Sequence, residues 1–209
     1  MSDKLKELYI KNSRIPKRYV EEARTANLTP TTPGDGEAFE YLNMVKNKIT
    51  SFVKLHHNLL ITSKHPGNGK TSWAAKILLY YIDSYAHEYS FKYNTPVLFI
   101  NIPDFLMKKK IAINDKSVAE EIAEMEKSIL TAKIVVFDDI ATKVATPYER
   151  EILYSYINHR TNELLTSIYT TNISVDDLHE ELGPRIADRV IGYSKCVELN
   201  GAGMRGKVV

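Results

Sequence analysis

Five short apolar runs, separated by stretches whose apolar residues recur at helical spacing, restrict this chain to very few folds. They are Asn58-Leu59-Leu60-Ile61-Thr62-Ser63, Pro96-Val97-Leu98-Phe99-Ile100, Lys133-Ile134-Val135-Val136-Phe137, Ser167-Ile168-Tyr169-Thr170 and Lys195-Cys196-Val197-Glu198-Leu199. Strands apolar on successive positions need cover on both faces, which predicts a parallel sheet wrapped by helices. Ala74, Ile77, Leu78, Tyr81, Ile82 and Tyr85 predict a helix over 71–89, and further helices are expected over 117–131 and 147–164. Two short helical segments precede the last strand. Phe39, Leu42, Val45, Ile49 and Phe52 predict one more helix, starting near Asp35 and Gly36. Right-handed crossovers would gather the strand C-termini, and any active site, along one edge.

Ahead of this body, residues 1–27 are locally basic, with a short amphipathic pattern (Leu5, Leu8, Tyr9) and then Ile15-Pro16-Lys17-Arg18-Tyr19. The breaker-rich stretch Thr29-Pro30-Thr31-Thr32-Pro33-Gly34-Asp35-Gly36 reads as a loop, so an arm and linker over 1–36 and one domain over 37–209 are expected. A chain of 209 residues, 44% hydrophobic and 26% charged, suits one globular α/β domain. The net charge of +2 means that any nucleic-acid contact must come from a local basic patch. The single cysteine, Cys196, excludes disulfides within the chain and cysteine-rich zinc sites, and the six histidines show no ligand spacing. The first residues lack the apolar core of a signal peptide and no apolar run approaches membrane-spanning length. A cytoplasmic protein with no membrane partner is expected.

The strongest local signal is His65-Pro66-Gly67-Asn68-Gly69-Lys70-Thr71, between a predicted strand and a predicted helix. A phosphate chain needs inward-pointing backbone N–H groups, glycine permits the turns that aim them, and the helix start adds its positive end. Pro66, Gly67, Asn68, Gly69, Lys70, Thr71 and Ser72 are the candidate phosphate-binding residues. Lys70 would reach the β- and γ-phosphates and Thr71 would place its hydroxyl on Mg²⁺. The leading glycine of the usual phosphate-loop pattern is replaced by Lys64.

About sixty residues later, Ile134-Val135-Val136-Phe137 ends in Asp138-Asp139. A buried strand ending in carboxylates beside a phosphate loop suits phosphoryl transfer, with Asp138 on the metal side and Asp139 orienting the attacking water. Alone, the pair would equally cap the following loop. Asn172, after the fourth run, would face the γ-phosphate or the water, and is equally a turn residue. Arg185 and Arg189 are four apart on a predicted helix and so share a face. They would reach a neighbouring subunit's γ-phosphate, or lie solvated. Lys108, Lys109 and Lys110 follow the second strand and would neutralise the phosphates of a nucleic acid, although lysine runs are commonly solvated faces.

These elements, in this order and spacing, resemble the AAA+ helicase loaders of the DnaC and DnaI type and the IstB-like transposition helpers. Ile15-Pro16-Lys17-Arg18-Tyr19 is similar to the I-P-x-R-[FY] segment of loaders, Asp138-Asp139 to their second acidic motif, and Thr170-Thr171-Asn172 to their sensor-1 motif. Arg189 sits where the finger arginine belongs. Gly201-Ala202-Gly203-Met204-Arg205 is similar to a terminal G-x-x-x-R, which makes Arg205 a cis sensor. The resemblance implies a P-loop AAA+ ATPase core with a parallel five-stranded sheet, using ATP and Mg²⁺. It also implies self-assembly with nucleotide at the interfaces, single-stranded DNA inside, and a replicative hexameric helicase as client. Cellular loaders carry a substantial N-terminal helicase-binding domain for which only residues 1–27 stand here, pointing to a minimal, phage-type loader. An IstB-like helper, or a non-hydrolysing module that uses ATP as a switch to bind a replication protein, are the competing readings.

Overall fold

The computed structural model describes residues 2–25, 28–30, 33–88, 96–141 and 144–201. Five parallel strands form one sheet: β1 (Asn58–Thr62), β2 (Val97–Asn101), β3 (Ile134–Asp138), β4 (Thr166–Thr171) and β5 (Ser194–Glu198), in the order β2-β3-β4-β1-β5. β1 sits between β4 and β5, with Leu60 opposite both Tyr169 and Cys196. Every residue of β1, β3 and β4 is buried, as expected of strands covered on both faces, whereas the marginal strand β5 is only partly covered.

Alternate strand residues feed two separate cores. Leu59, Ile61, Val97, Phe99, Ile134 and Val136 face α3 (Gly36–Asn47), α4 (Ile49–Lys54) and α5 (Lys70–Glu88). Leu60, Leu98, Ile100, Val135, Phe137 and Tyr169 face the other layer. That layer comprises α6 (Ile102–Ile111), α7 (Lys116–Thr131), α8 (Pro147–Asn162), α9 (Leu178–Leu182) and α10 (Pro184–Gly192). The fully buried Arg160 of α8 ties the second layer to the sheet. Its guanidinium donates to the carbonyls of Ile129 (2.7 Å) and Ala132 (2.9 Å) at the end of α7, to Ser167 Oγ (3.0 Å) and to the Thr166 carbonyl. A cation thus answers helix-end carbonyls that would otherwise be orphaned.

The helix expected across 39–52 is two helices. Lys48 leaves helical geometry (φ −112°, ψ 25°), where Asn47, a weak helix former, meets the β-branched pair Ile49-Thr50. The apolar stripe survives the break, because Phe39, Leu42, Val45, Ile49 and Phe52 are all buried. Asp35 precedes α3 without capping it; its carboxylate instead accepts the Asn200 N–H at 2.6 Å, joining the linker to the end of β5.

The N-terminal segment forms α1 (Ser2–Asn12) and α2 (Lys17–Thr25), both packed on α5. Tyr9 and Ile15 enter the first core. Between the helices, the Ser13 carbonyl accepts the Phe99 N–H at 2.8 Å along the open side of β2.

Candidate active site

The loop between β1 and α5 is wound around one asparagine. Asn68, buried, donates through Nδ2 to Ser63 Oγ and to the Leu199 carbonyl (3.0 Å), so it anchors the loop to the ends of β1 and β5. Gly67 and Gly69 take φ values of 81° and 92°, which side-chain-bearing residues rarely adopt. Lys64 has no such conformation, so the loop turns without a glycine at that position. Lys70 is buried and folds back over the loop, with Nζ donating to Asn68 Oδ1 at 3.1 Å.

Opposite the loop, the carboxylate ending β3 joins three strands. Asp138 Oδ1 accepts Thr71 Oγ1 from α5 (2.9 Å) and Thr170 Oγ1 from β4 (2.7 Å), while Asn101 Nδ2 from β2 approaches Oδ2 at 3.5 Å. Burial pushes its pKa up, and the neighbouring charge of Asp139 adds to this against the three donors. A hydroxyl and a carboxylate side by side are hard oxygen ligands of the kind Mg²⁺ takes beside phosphates, so Thr71 and Asp138 fit that ion. Bound there, Mg²⁺ would offset the negative charge shared by phosphate and carboxylate.

Asp139 has a φ of 56°, in the left-handed region that Asp and Asn tolerate better than most residues. Its N–H donates to Thr170 Oγ1 at 3.0 Å and its Oδ1 accepts Asn172 Nδ2 at 3.0 Å. Thr170, Asp138, Asp139 and Asn172 are therefore one hydrogen-bonded unit. The motifs give roles to the last three; Thr170 lies within the sensor-1-like motif, which by itself assigns it no part in the site.

A cleft of about 640 Å³ runs from this unit along the loop. It is lined by residues 66–72, Asp138, Asp139 and Asn172 and by the less polar Pro16, Tyr19, Leu28 and Phe39. Volume and polarity suit a nucleotide, with phosphates at the loop and an apolar chamber for the base. The N-terminal wall of that chamber falls on the Ile15-to-Tyr19 motif, to which the residue pattern alone assigns no chemistry.

The remaining candidates lie elsewhere. Arg185 and Arg189 share a face of α10, their Cζ atoms 4.7 and 5.0 Å from the Tyr154 ring centroid, and Arg189 Nε donates to Asn158 at 2.8 Å. Neither lines the cleft of its own chain. Each lysine of the run meets a carboxylate: Lys108 meets Glu121 (2.9 Å), Lys109 meets Glu126, and Lys110 meets Glu149 (3.0 Å). Arg205 lies outside the described residues. Among those described, no helix is long and apolar enough to cross a membrane, and no group of three or more His, Cys, Asp or Glu is arranged to hold a metal.

No protein-family model matches the chain. Among curated proteins it is similar to the replicative helicase loader DnaC of Escherichia coli strain K12, 24% identical over 173 residues, which are 82% of this chain and 63% of that protein. The chain thus spans less than two thirds of that relative's length. Among solved structures, that of the DnaC helicase loader has a TM-score of 0.66 at 20% identity, covering 88% of this chain and 100% of the other. The replication initiator DnaA bound to AMPPCP and single-stranded DNA has a TM-score of 0.63 at 14% identity, covering 89% of this chain and 51% of that one. The fold is that of the AAA+ P-loop ATPases, and the resemblance to DnaC/DnaI-type loaders read from the motifs holds in both sequence and fold.

Proposed function

We propose that this chain is an ATPase that loads a replicative hexameric helicase onto single-stranded DNA. One observation carries the ATPase part: at one sheet edge Thr71 beside Lys70 bonds Asp138, while Asn172 holds the adjacent Asp139. In this reading the N–H groups of residues 67–71 and Lys70 bind the β- and γ-phosphates of ATP, and Thr71 and Asp138 hold Mg²⁺. Asp139, fixed by Asn172 and Thr170, orients the attacking water and accepts its proton. Arg189, on a face away from its own cleft, serves the site of an adjacent subunit, with Arg185 beside it. The client follows from the likeness to a protein named as a helicase loader.

ATP turnover with and without single-stranded DNA tests this. Lys70→Ala should abolish turnover, and Arg189→Ala should lower it by about a thousandfold. Mixing Arg189→Ala with Asp139→Ala subunits should restore part of it, because some mixed interfaces pair an intact arginine with an intact carboxylate. Tight ATP binding with no turnover under any condition would favour the switch-like binding module, in which Asp139, one methylene shorter than glutamate and tied to Asn172, leaves water unactivated. Preference for duplex over single-stranded DNA would favour the IstB-like helper.

DNA contact is assigned to the lysine run, where binding would exchange a carboxylate for a phosphate. Lys108 and Lys110 are more exposed than Lys109. Lys108→Ala with Lys110→Ala should flatten the salt dependence of single-strand binding by a slope of about 1.4 and leave ATP affinity unchanged. An unaltered salt slope would remove the run from the DNA path.

A further inference from the structure

Two charged residues of the N-terminal arm reach the phosphate loop. Glu22 on α2 accepts Ser72 Oγ through Oε2 at 3.2 Å and Arg18 Nε through Oε1 at 2.6 Å. Ser72 stands two residues after Lys70 in the first turn of α5, and Arg18, Glu22 and Ser72 all line the cleft with the loop. The start of this long helix favours an anion, and the anion now bonded to its first-turn hydroxyl is a carboxylate of the chain itself. Arg18, one helical turn from Glu22, has a side chain 64% exposed toward solvent.

We propose that Arg18 is a further phosphate-binding residue and that Glu22 holds its place until a nucleotide arrives. This rests on the reading of the cleft as a nucleotide site. Incoming phosphates repel the Glu22 carboxylate and attract the Arg18 guanidinium. Ser72 then turns its hydroxyl from Glu22 to a phosphate oxygen, and Arg18 exchanges carboxylate for phosphate. Because α2 carries both charges, the exchange moves the arm when the cleft fills. In the proposed reading Lys70, Asp138 and Asp139 serve the terminal phosphates of ATP. Arg18, whose Cζ lies 5.6 Å from the ring centroid of the apolar lining residue Tyr19, serves the phosphates closest to the base, and ADP and ATP should feel it alike.

The only tryptophan of the chain, Trp73, follows Ser72 and packs edge-on against Phe39 in the cleft wall (centroids 5.4 Å apart), so its fluorescence provides the titration. ADP and a non-hydrolysable ATP analogue would be titrated into the intact chain and into Arg18→Ala, Arg18→Lys, Glu22→Gln and Lys70→Ala. Arg18→Ala should weaken both nucleotides by about tenfold, the worth of one charge-assisted contact, with partial recovery in Arg18→Lys. Glu22→Gln should tighten both by about threefold, an opposite movement that partial misfolding would not produce. Lys70→Ala losing affinity while Arg18→Ala matches the intact chain would overturn this proposal and leave the nucleotide site standing. Equal weakening by Arg18→Ala and Glu22→Gln would reduce the pair to a structural clasp. No binding by the intact chain would sink both readings.

Discussion

Thr170 is the smallest part of the site on which the most depends. Fully buried, its hydroxyl donates to Asp138 and accepts the N–H of Asp139, so one oxygen sets the spacing of both carboxylates. Thr170→Val keeps the shape and removes both bonds. It should cost about 1–3 kcal/mol in denaturant unfolding and lower turnover at least tenfold, while Thr170→Ser recovers most of both. Wild-type turnover in the valine variant would show that the carboxylates are held by other means. Lys70 and Asp138 are legible in the sequence because their chemistry needs fixed spacing after a strand. Thr170 is harder to single out, since a threonine in a strand is first of all a β-branched strand former. The choice of Asp at 139 also becomes intelligible only with its backbone angle, because a left-handed φ favours the shorter acid.

At the level of elements, α6 and α8 are locked by a single carboxylate. Glu149 closes a capping box with Thr146 at the start of α8 and also receives Lys110 of α6. The Thr146 N–H above all, then Lys110, hold its pKa at about 2 rather than the usual 4.5. A depressed folded value stabilises the fold above about pH 4.5, and that stability drains away as pH falls toward 2. Unfolding measured across this window should lose stability less steeply in Glu149→Gln than in the intact chain; superimposable profiles would contradict the assignment. The same lock shows what the lysine run could not reveal by itself. Its partner carboxylates lie 13, 17 and 39 residues along the chain, so their meeting depends on how α6, α7 and α8 pack. Strand positions were readable because burial on both faces leaves continuous apolar runs. The break at Lys48 was not, because the apolar stripe runs through it unchanged.

Across the whole molecule, the sheet divides its side chains between two cores, and the N-terminal segment belongs to one of them through Tyr9 and Ile15. Leu8, its apolar neighbour in the same pattern, stays exposed, since only the three-dimensional course of α1 over α5 decides which residue of an amphipathic pair is covered. The cleft is likewise a product of that course: a short motif far from the phosphate loop in sequence supplies one wall. The Ser13 carbonyl bonded to Phe99 has a consequence for solubility. β2 is a margin of the sheet, and an open margin is a template on which another chain can add a strand. Tyr9→Ala, which leaves that backbone bond in place, should cost about 3–5 kcal/mol of stability and keep the protein monodisperse at low temperature. Deleting residues 1–25 should instead yield species that scatter light and bind amyloid dyes as concentration rises, and a soluble, dye-negative truncation would refute this. The segment that walls the cleft thus also works as a guard against polymerisation.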